Sequence, residues 1–286
     1  MPDTRVSFSE DEFSEDAFSK DGFSEDQLSR QRRVAEGFGA DAARYDRTRP
    51  SYPEALLHRI VGARTGLDVL DVGCGTGIVA RQFQAAGCTV LGVEPDPRMA
   101  GFARGRGLEV EESTFEDWKP AGRSFDAVVA GQTWHWLDPA VGAVRAAQAL
   151  RPGGQLTVFW NAEVPPPEVL RSFGEIYRRV VPDSLVARQW TASTLDGYTM
   201  LSGKAADGMQ QAGVFDAAQE WRFHWEKSYT RDEWLDQMPT HGDLGQHSAD
   251  QVAKVQEGIS AVIDAMGGGF TMGYTTVAVN AALTPA

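Results

Sequence analysis

A glycine-rich segment is the part of this sequence best suited to bind a ligand. The apolar run 69–72 leads into Gly73, Gly75 and Gly77, spaced as GxGxG. Glycine lets the backbone approach a ligand closely, and a helix that begins after the third glycine offers free N–H groups. The pattern therefore predicts a binding site at the carboxyl end of a first parallel strand.

Two acidic residues near this segment narrow the kind of ligand. Asp71 precedes the glycines, and Glu94 ends the next apolar run. A carboxylate at Asp71 would repel a pyrophosphate but would suit a cationic amino group. A carboxylate at Glu94 can accept both hydroxyls of a ribose. Ile78 stands where the dinucleotide fingerprint has its third glycine, so an NAD-dependent oxidoreductase is disfavoured.

The elements that must position these residues alternate regularly. Strand patterns over 68–72, 90–93, 108–111, 125–130 and 156–160 are separated by helical patterns, among them 78–86, 97–104 and 141–150. Such alternation predicts a parallel sheet with right-handed crossovers. Short helices are predicted before it, over 34–45 and 54–61.

The regular alternation of strand and helix patterns ends after residue 160. The sequence predicts a helix over 165–181, a polar irregular stretch over 182–206, strands at 218–228 and 274–281, and helices at 232–238 and 249–266. We interpret about 161–210 as a lid insert over the sheet. A single domain would then cover 31–286.

The first 30 residues form a separate acidic tail. Phenylalanines recur every five residues, a period that matches neither a helix nor a strand. Up to residue 28 the tail has nine acidic and two basic residues, a net charge of −7. Low complexity and dense charge predict disorder. A docking or solubilising arm and a tolerated repeat expansion both remain open.

Composition excludes several classes of function. The 286 residues carry 27 basic and 40 acidic side chains, a formal net charge of −13. The tail accounts for −7 of this charge, so the net charge of the domain is only weak evidence against nucleic-acid binding. The absence of a basic patch is the stronger evidence. The sequence has no 18-residue apolar run and no signal-peptide pattern, so we expect a cytoplasmic protein that binds no membrane. Two cysteines without a CxxC or Cys/His cluster predict no metal site.

Further motifs connect this chain to a known family. The segment 71–77 and Glu94 are followed by Phe125-Asp-Ala-Val-Val129 and Leu150-Arg-Pro-Gly-Gly154. This set resembles the class I S-adenosylmethionine-dependent methyltransferases. The resemblance runs from about 37 to 283 and extends to the bacterial small-molecule branch similar to trans-aconitate methyltransferases. It rests there on the segments 38–45, 49–53, 135–136 and 229–240.

The resemblance implies a fold, a cofactor and a set of binding residues. The fold would be α/β, a doubly wound Rossmann-like sheet of seven mostly parallel strands with a helical lid insert. The cofactor would be S-adenosyl-L-methionine. Its expected contacts are Tyr45, Arg49, Asp71, Gly73, Gly75, Gly77, Glu94, Met99, Phe115, Glu116, Gly131 and Gln132. Asp71 and Tyr45 also have purely structural interpretations, and a position in the ordinary core is the open alternative for Met99.

The methyl acceptor is expected beyond the fourth strand. His135 could take a proton from an acceptor, or it could be a structural hydrogen-bonding residue. Aromatic side chains could wall a flat apolar pocket, with His241 as a polar contact. The predicted pocket residues are Tyr52, Trp134, Trp136, Trp160, Trp190 and His241.

The first functional hypothesis is transfer of a methyl group to an O, N, S or C atom of a small-molecule substrate, aromatic or from secondary metabolism. A carboxyl methyltransferase acting on a small acid near Arg49 is one alternative. A protein that binds the cofactor without methyl transfer is another.

Overall fold

The computed structural model describes residues 37–190 and 194–284, and the predicted acidic tail, 1–30, lies outside the described residues. Seven strands form one sheet, in the order β3-β2-β1-β4-β5-β7-β6. The strands are β1 (Asp68–Val72), β2 (Thr89–Val93), β3 (Glu109–Glu111), β4 (Phe125–Gly131), β5 (Leu150–Val164), β6 (Gln219–Thr230) and β7 (Gly269–Ala282).

The sheet is mostly parallel. Strand β7 runs antiparallel to both of its neighbours, β5 and β6, and the pairs among β1 to β5 are parallel. The strand order reverses between β1 and β4, which is where doubly wound sheets open a crevice for ligands. The predicted seven-stranded, Rossmann-like α/β fold is confirmed.

Helices cover both faces of the sheet. Their bounds are α1 (Ala42–Thr48), α2 (Glu54–Val61), α3 (Ile78–Ala85), α4 (Pro97–Gly105), α5 (Pro139–Ala149), α6 (Pro167–Val180), α7 (Leu185–Gln189), α8 (Thr194–Gln211), α9 (Arg231–Gln237) and α10 (Ala249–Ala265). Side chains of α2, α3 and α4 share one hydrophobic cluster with the sheet, and those of α5 and α8 share a second on the opposite face. This two-faced burial explains why Val69, Leu70 and Val72 of β1 and residues 127–130 of β4 are apolar on both faces of the sheet.

A third hydrophobic cluster lies at the far end of the sheet. Helices α6, α7, α9 and α10 pack on each other and on the ends of β6 and β7. Rings of Phe173, Trp190 and Trp234 lie at its centre, with centroids 5.2 to 6.0 Å apart. Tyr229 and Tyr274 belong to this cluster and connect it to the sheet.

Two parts of the predicted element pattern are wrong. The stretch 182–206 is not irregular, because it contains α7 and most of α8. The apolar stripe of α8 is narrow: Leu201, Ala205 and Met209 recur every four residues against the sheet. Strand β5 does not end at Trp160, since 161–164 remains paired with β7.

These findings narrow the predicted lid insert. Residues 161–164 complete β5, and α8 packs against α5, β5 and β7 as a regular layer of the fold. Among the described residues of 161–210, α6 and α7 therefore lie outside the two layers that flank the central strands, in the third cluster with α9 and α10. Within the described ranges, no helix combines the length and the apolar character needed to cross a membrane.

Candidate functional site

A cavity of about 1040 Å³ opens at the carboxyl ends of β1 and β4. This is the point at which the strand order reverses. Its volume is at the upper end of the range for small-molecule sites, so it has room for a nucleoside-sized ligand and a second small molecule. The cavity lies where the glycine segment predicts a site.

The glycine loop forms one wall. Gly73 has φ of +61°, and a Cβ there would lie 2.2 Å from Cγ2 of Thr133, so only glycine fits. Gly75 also lines the cavity. Gly77 is not among the lining residues, and a cofactor contact there stays a prediction. Gly77 instead begins α3 in the left-handed conformation and packs beside Leu108.

Asp71 is the most unusual group in the cavity wall. Its side chain is buried, and neither carboxylate oxygen has a well-formed hydrogen bond to a described residue. Burial raises the pKa of Asp71 to about 8; the nearby charge of Glu94 adds to the rise, and the amide of Ala80 offsets part of it. An unpartnered buried carboxylate is costly unless a ligand supplies a donor or a positive charge.

Glu94 is held firmly at the end of β2. Its Oε2 accepts the backbone N–H of Gly75 at 2.8 Å, and its Oε1 accepts that of Asp96 at 2.9 Å. Burial raises the pKa of Glu94, while these two N–H groups oppose the rise. A carboxylate has about four acceptor positions, so two or so remain for ligand hydroxyls.

Most of the other residues assigned by the resemblance also line the cavity: Tyr45, Arg49, Tyr52, Met99, Phe115, Glu116, Gly131, Gln132 and Trp136. The end of β4 is crowded, since a Cβ on Gly131 would lie 2.9 Å from the Tyr52 hydroxyl oxygen. Gln132 takes φ of +56°, a strained value for a residue with a side chain. Its Nε2 donates to the carbonyl of Asn161 at 3.2 Å.

Helix α1 and the segment after it contribute to the cavity wall. Tyr45 and Arg49 both line the cavity, and the Arg49 guanidinium lies 5.2 Å from the centroid of the Tyr45 ring. Arg49 Nη2 also donates to the carbonyl of Thr240. Arg47 forms a two-point ion pair with Asp236 of α9, at 2.9 and 2.7 Å. The N-terminal segment is therefore fastened to α9 and the turn after it.

Three of the predicted pocket tryptophans lie elsewhere. Trp134 and Trp160 belong to the core on the α5 and α8 face, and Trp190 belongs to the third cluster. None of these three is among the residues that line the cavity, and their role in an acceptor pocket stays a prediction. Successive residues of a strand point to opposite faces, so Trp160 points away from the face that carries Phe159 and Asn161.

His135 is not among the residues that line the cavity. Its Nδ1 accepts a hydrogen bond from the indole N–H of Trp160 at 3.1 Å. Burial lowers the pKa of His135 to about 4, so the ring is neutral at physiological pH. The geometry favours the structural alternative for this residue over that of a proton acceptor.

His241 is buried behind the cavity rather than in its wall. Its Nε2 lies 3.6 Å from Oε1 of Glu163, which does line the cavity. Asn161, at the predicted end of the fifth strand, also lines the cavity, whereas Glu163 and Tyr274 are cavity residues that the sequence did not single out. The available signal was a glutamate three residues after the strand pattern 156–160, which would lie on the same face as Asn161 if the strand continued.

The cavity wall is acidic. It contains six carboxylic acids and two arginines: Asp71, Glu94, Asp96, Glu116, Asp117, Glu163, Arg49 and Arg98. Arg98 is paired with Asp96 at 2.6 Å. In the described ranges, no three His, Cys, Asp or Glu side chains are grouped as metal ligands.

Comparison with known proteins agrees with this architecture. A family model described as a methyltransferase domain matches residues 45–174. An uncharacterized methyltransferase of Mycobacterium tuberculosis is 34% identical over 151 residues, which are 52% of this chain and 62% of the relative. The chain thus spans about three fifths of the length of that relative.

Two further matches cover a larger share of the protein with which the chain is compared. Nocamycin O-methyltransferase of Saccharothrix syringae is 32% identical over 197 residues, covering 60% of this chain and 69% of that enzyme. A structure from Anaeromyxobacter dehalogenans, proposed to be a type II methyltransferase, aligns with a TM-score of 0.59 and 22% identity. The alignment covers 83% of this chain and 99% of the Anaeromyxobacter protein, and it shows that the two share a fold. The fold, the glycine-loop site and these relatives together place the chain in the family of class I S-adenosylmethionine-dependent methyltransferases.

Proposed function

We propose that the cavity binds S-adenosylmethionine and that the protein transfers its methyl group to an O, N, S or C atom of a small, flat, uncharged acceptor. The observation that carries this proposal is the buried Asp71 carboxylate, whose oxygens have no well-formed hydrogen bond to a described residue and which lies near the fixed carboxylate of Glu94. A ligand with a cationic group and a ribose satisfies both carboxylates at once.

The residues around the cavity fit the cofactor. Asp71 would face its ammonium group, and Glu94 would accept the two ribose hydroxyls. Met99 and Phe115 lie in the same wall and provide apolar surface for the adenine, with Glu116 beside them. When bound, the cofactor supplies an electrophilic methyl group on a sulfonium centre.

The chain's own task is then to align the acceptor and to exclude water. Tyr45, Tyr52 and Trp136 present aromatic surface to the cavity, which suits a flat acceptor and a neighbouring cation. The fastened α1 segment, with Arg47 bound to Asp236, helps to close the cavity. His135 acts in this scheme as a positioning residue, since it holds Trp160 in the core.

Charge distinguishes the alternatives. Six acids and two arginines in the wall disfavour an anionic acceptor, which opposes the carboxyl methyltransferase hypothesis. The same charge opposes a tricarboxylate substrate of the trans-aconitate type. Within that small-molecule branch, we propose a neutral acceptor of the secondary-metabolite kind.

Calorimetry followed by a transfer assay tests the proposal. We expect S-adenosylmethionine to bind and NAD to fail; the reverse result would falsify the cofactor assignment. Labelled methyl transfer is then measured on phenols, amines, thiols and carboxylic acids. Transfer to neutral acceptors is expected, whereas transfer confined to carboxylic acids would contradict the proposed acceptor class. Binding without transfer to any acceptor would favour a cofactor-binding protein.

A further inference from the structure

The end of the cavity opposite the glycine loop carries its own polar groups. Glu163 of β5 and Tyr274 of β7 both line the cavity, and they are directly paired across the two antiparallel strands. Side chains opposed in this way have Cβ atoms about 5 Å apart, so the carboxylate and the phenol act on the same space.

A buried network lies behind this pair. The Tyr274 hydroxyl is 2.7 Å from that of Tyr229, and Gln237 Nε2 is 2.9 Å from His241 Nε2. His241 Nε2 in turn lies 3.6 Å from Oε1 of Glu163. Polar groups fixed in such a network cannot easily move away, so Glu163 and Tyr274 keep their positions at the cavity surface.

Glu163 lies among neutral groups and one cation, Arg49. Burial raises the pKa of Glu163 to about 7, and the positive charge of Arg49 opposes the rise. Burial lowers the pKa of His241 well below its ordinary value, with help from Arg49, so His241 is uncharged. The other titratable groups facing Glu163 are the phenols of Tyr177, Tyr198, Tyr229 and Tyr274.

Strand register separates Glu163 from the glycine-loop end. Asp71 is paired with Val129 of β4, and Val129 with Thr157 of β5. Glu163 lies six residues beyond Thr157 on β5, a distance of up to about 20 Å along the strand at about 3.3 Å per residue. The carboxylates of Asp71 and Glu163 therefore mark opposite ends of an elongated cavity.

From this arrangement we infer that Glu163, with Tyr274 beside it and Arg49 nearby, is the acceptor-recognition subsite and that it binds a hydroxyl group of a neutral aromatic acceptor. The carboxylate accepts the hydroxyl hydrogen, and the aromatic side chains of the cavity hold the ring. Recognition at this end leaves the opposite end of the acceptor directed towards the glycine loop. The inference rests on the proposed function, because it assumes that the glycine-loop end holds the cofactor.

The experiment compares resorcinol with 1,3-dimethoxybenzene, in which methyl groups replace the two hydroxyl hydrogens. Their affinities are measured by ligand-observed NMR titration of the full chain with S-adenosylhomocysteine present, so that no turnover is required. Resorcinol is expected to bind the wild type at least about tenfold more tightly. Equal affinities would overturn the inference without any variant.

Glu163→Gln keeps the size of the side chain and removes its charge. It is expected to reduce the advantage of resorcinol by about tenfold, while dimethoxybenzene binding is unchanged. Glu168→Gln, on the exposed start of α6, is the matched control and should keep the full advantage. An undiminished advantage in Glu163→Gln would overturn the assignment of this subsite.

Cofactor binding separates the two levels of failure. Calorimetry with S-adenosylmethionine on each protein, together with thermal unfolding, shows whether the glycine-loop end is intact. If the wild type does not bind the cofactor, the proposed function fails. If all proteins bind it and probe selectivity does not depend on Glu163, only the acceptor subsite is overturned.

Discussion

The indole N–H of Trp160 donates to Nδ1 of His135 at 3.1 Å, and this bond restricts what the imidazole can do. Because Nδ1 accepts, the neutral ring carries its hydrogen on Nε2. Burial keeps the pKa of His135 near 4, so the ring stays neutral through the physiological range. The histidine and tryptophan are therefore a structural pair that connects the loop after β4 to β5.

Replacing His135 should affect stability more than proton transfer. His135→Ala removes the partner of the buried Trp160 N–H, and we expect a loss of about 1–3 kcal/mol in the free energy of unfolding. Denaturant unfolding measures this loss. Trp160→Phe has a cavity cost of its own, so in a double-mutant cycle with His135→Ala the two losses should be less than additive. An unchanged unfolding free energy with abolished turnover would restore the role of proton acceptor.

Asp71→Asn should stabilise the ligand-free protein and weaken cofactor binding. The pKa of Asp71 is about 8 in the fold against 3.8 for a free side chain, so the folded state holds its proton more tightly. Stability of the wild type therefore decreases as pH rises from about 4 to 8. In the variant, the free energy of unfolding should depend much less on pH, and at pH 8 it should exceed that of the wild type by roughly 1–3 kcal/mol. Thermal unfolding across this pH range measures both effects, and a flat wild-type profile would contradict them.

Cofactor binding should release a proton near pH 7. The cation attracts only the ionised form of Asp71, whose pKa in the ligand-free protein is about 8. Affinity should therefore rise by up to about tenfold per pH unit between pH 6 and pH 8. Calorimetry in two buffers of different ionisation enthalpy counts the protons released. The number should approach one in the wild type and zero in Asp71→Asn; equal proton release in both proteins would exclude Asp71 as its source.

Gly73→Ala should damage the glycine loop severely. A Cβ there would lie 2.2 Å from Cγ2 of Thr133, and φ is +61°. We expect a loss of at least about 2 kcal/mol in unfolding free energy and undetectable cofactor binding. Gly101→Ala in α4 is the control, since nothing lies within 4 Å of a Cβ there, and helix propensity should make it neutral or slightly stabilising. Similar behaviour of the two variants would argue against a close loop contact at Thr133.

Asp236→Asn should loosen α1 without unfolding the domain. Asp236 holds Arg47 at two points and lies 3.3 Å from Nε of Arg44. Because the ion pair is partly exposed, we expect the free energy of unfolding to fall by less than about 1 kcal/mol. Cofactor affinity should fall a few-fold. Asp232→Asn, which removes the exposed partner of Arg231, is the control. Calorimetry at two salt concentrations should show that high salt reproduces part of the Asp236→Asn effect; equal affinity in all cases would rule out a role for the tether.

The sequence by itself determined the sheet and the cofactor end of the cavity. Local signals suffice there: β1 is a short apolar run, Gly73 follows it directly, and Asp71 and Glu94 stand at strand ends whose positions the strand–helix alternation defines. Parallel strands bring their carboxyl ends to one edge, so residues far apart in the chain meet predictably.

Only the tertiary structure decided which residues form the Glu163 end of the cavity. The sequence does not show whether Trp134, Trp160 and Trp190 face the cavity or the core. That depends on which face of the sheet a strand residue points to and on helices that pack from distant parts of the chain. Glu163 reaches the cavity because β5 continues in register with β7, a pairing made more than a hundred residues later. Contacts of such long sequence separation leave no periodic signal in the local sequence, and so they become visible only in the folded chain.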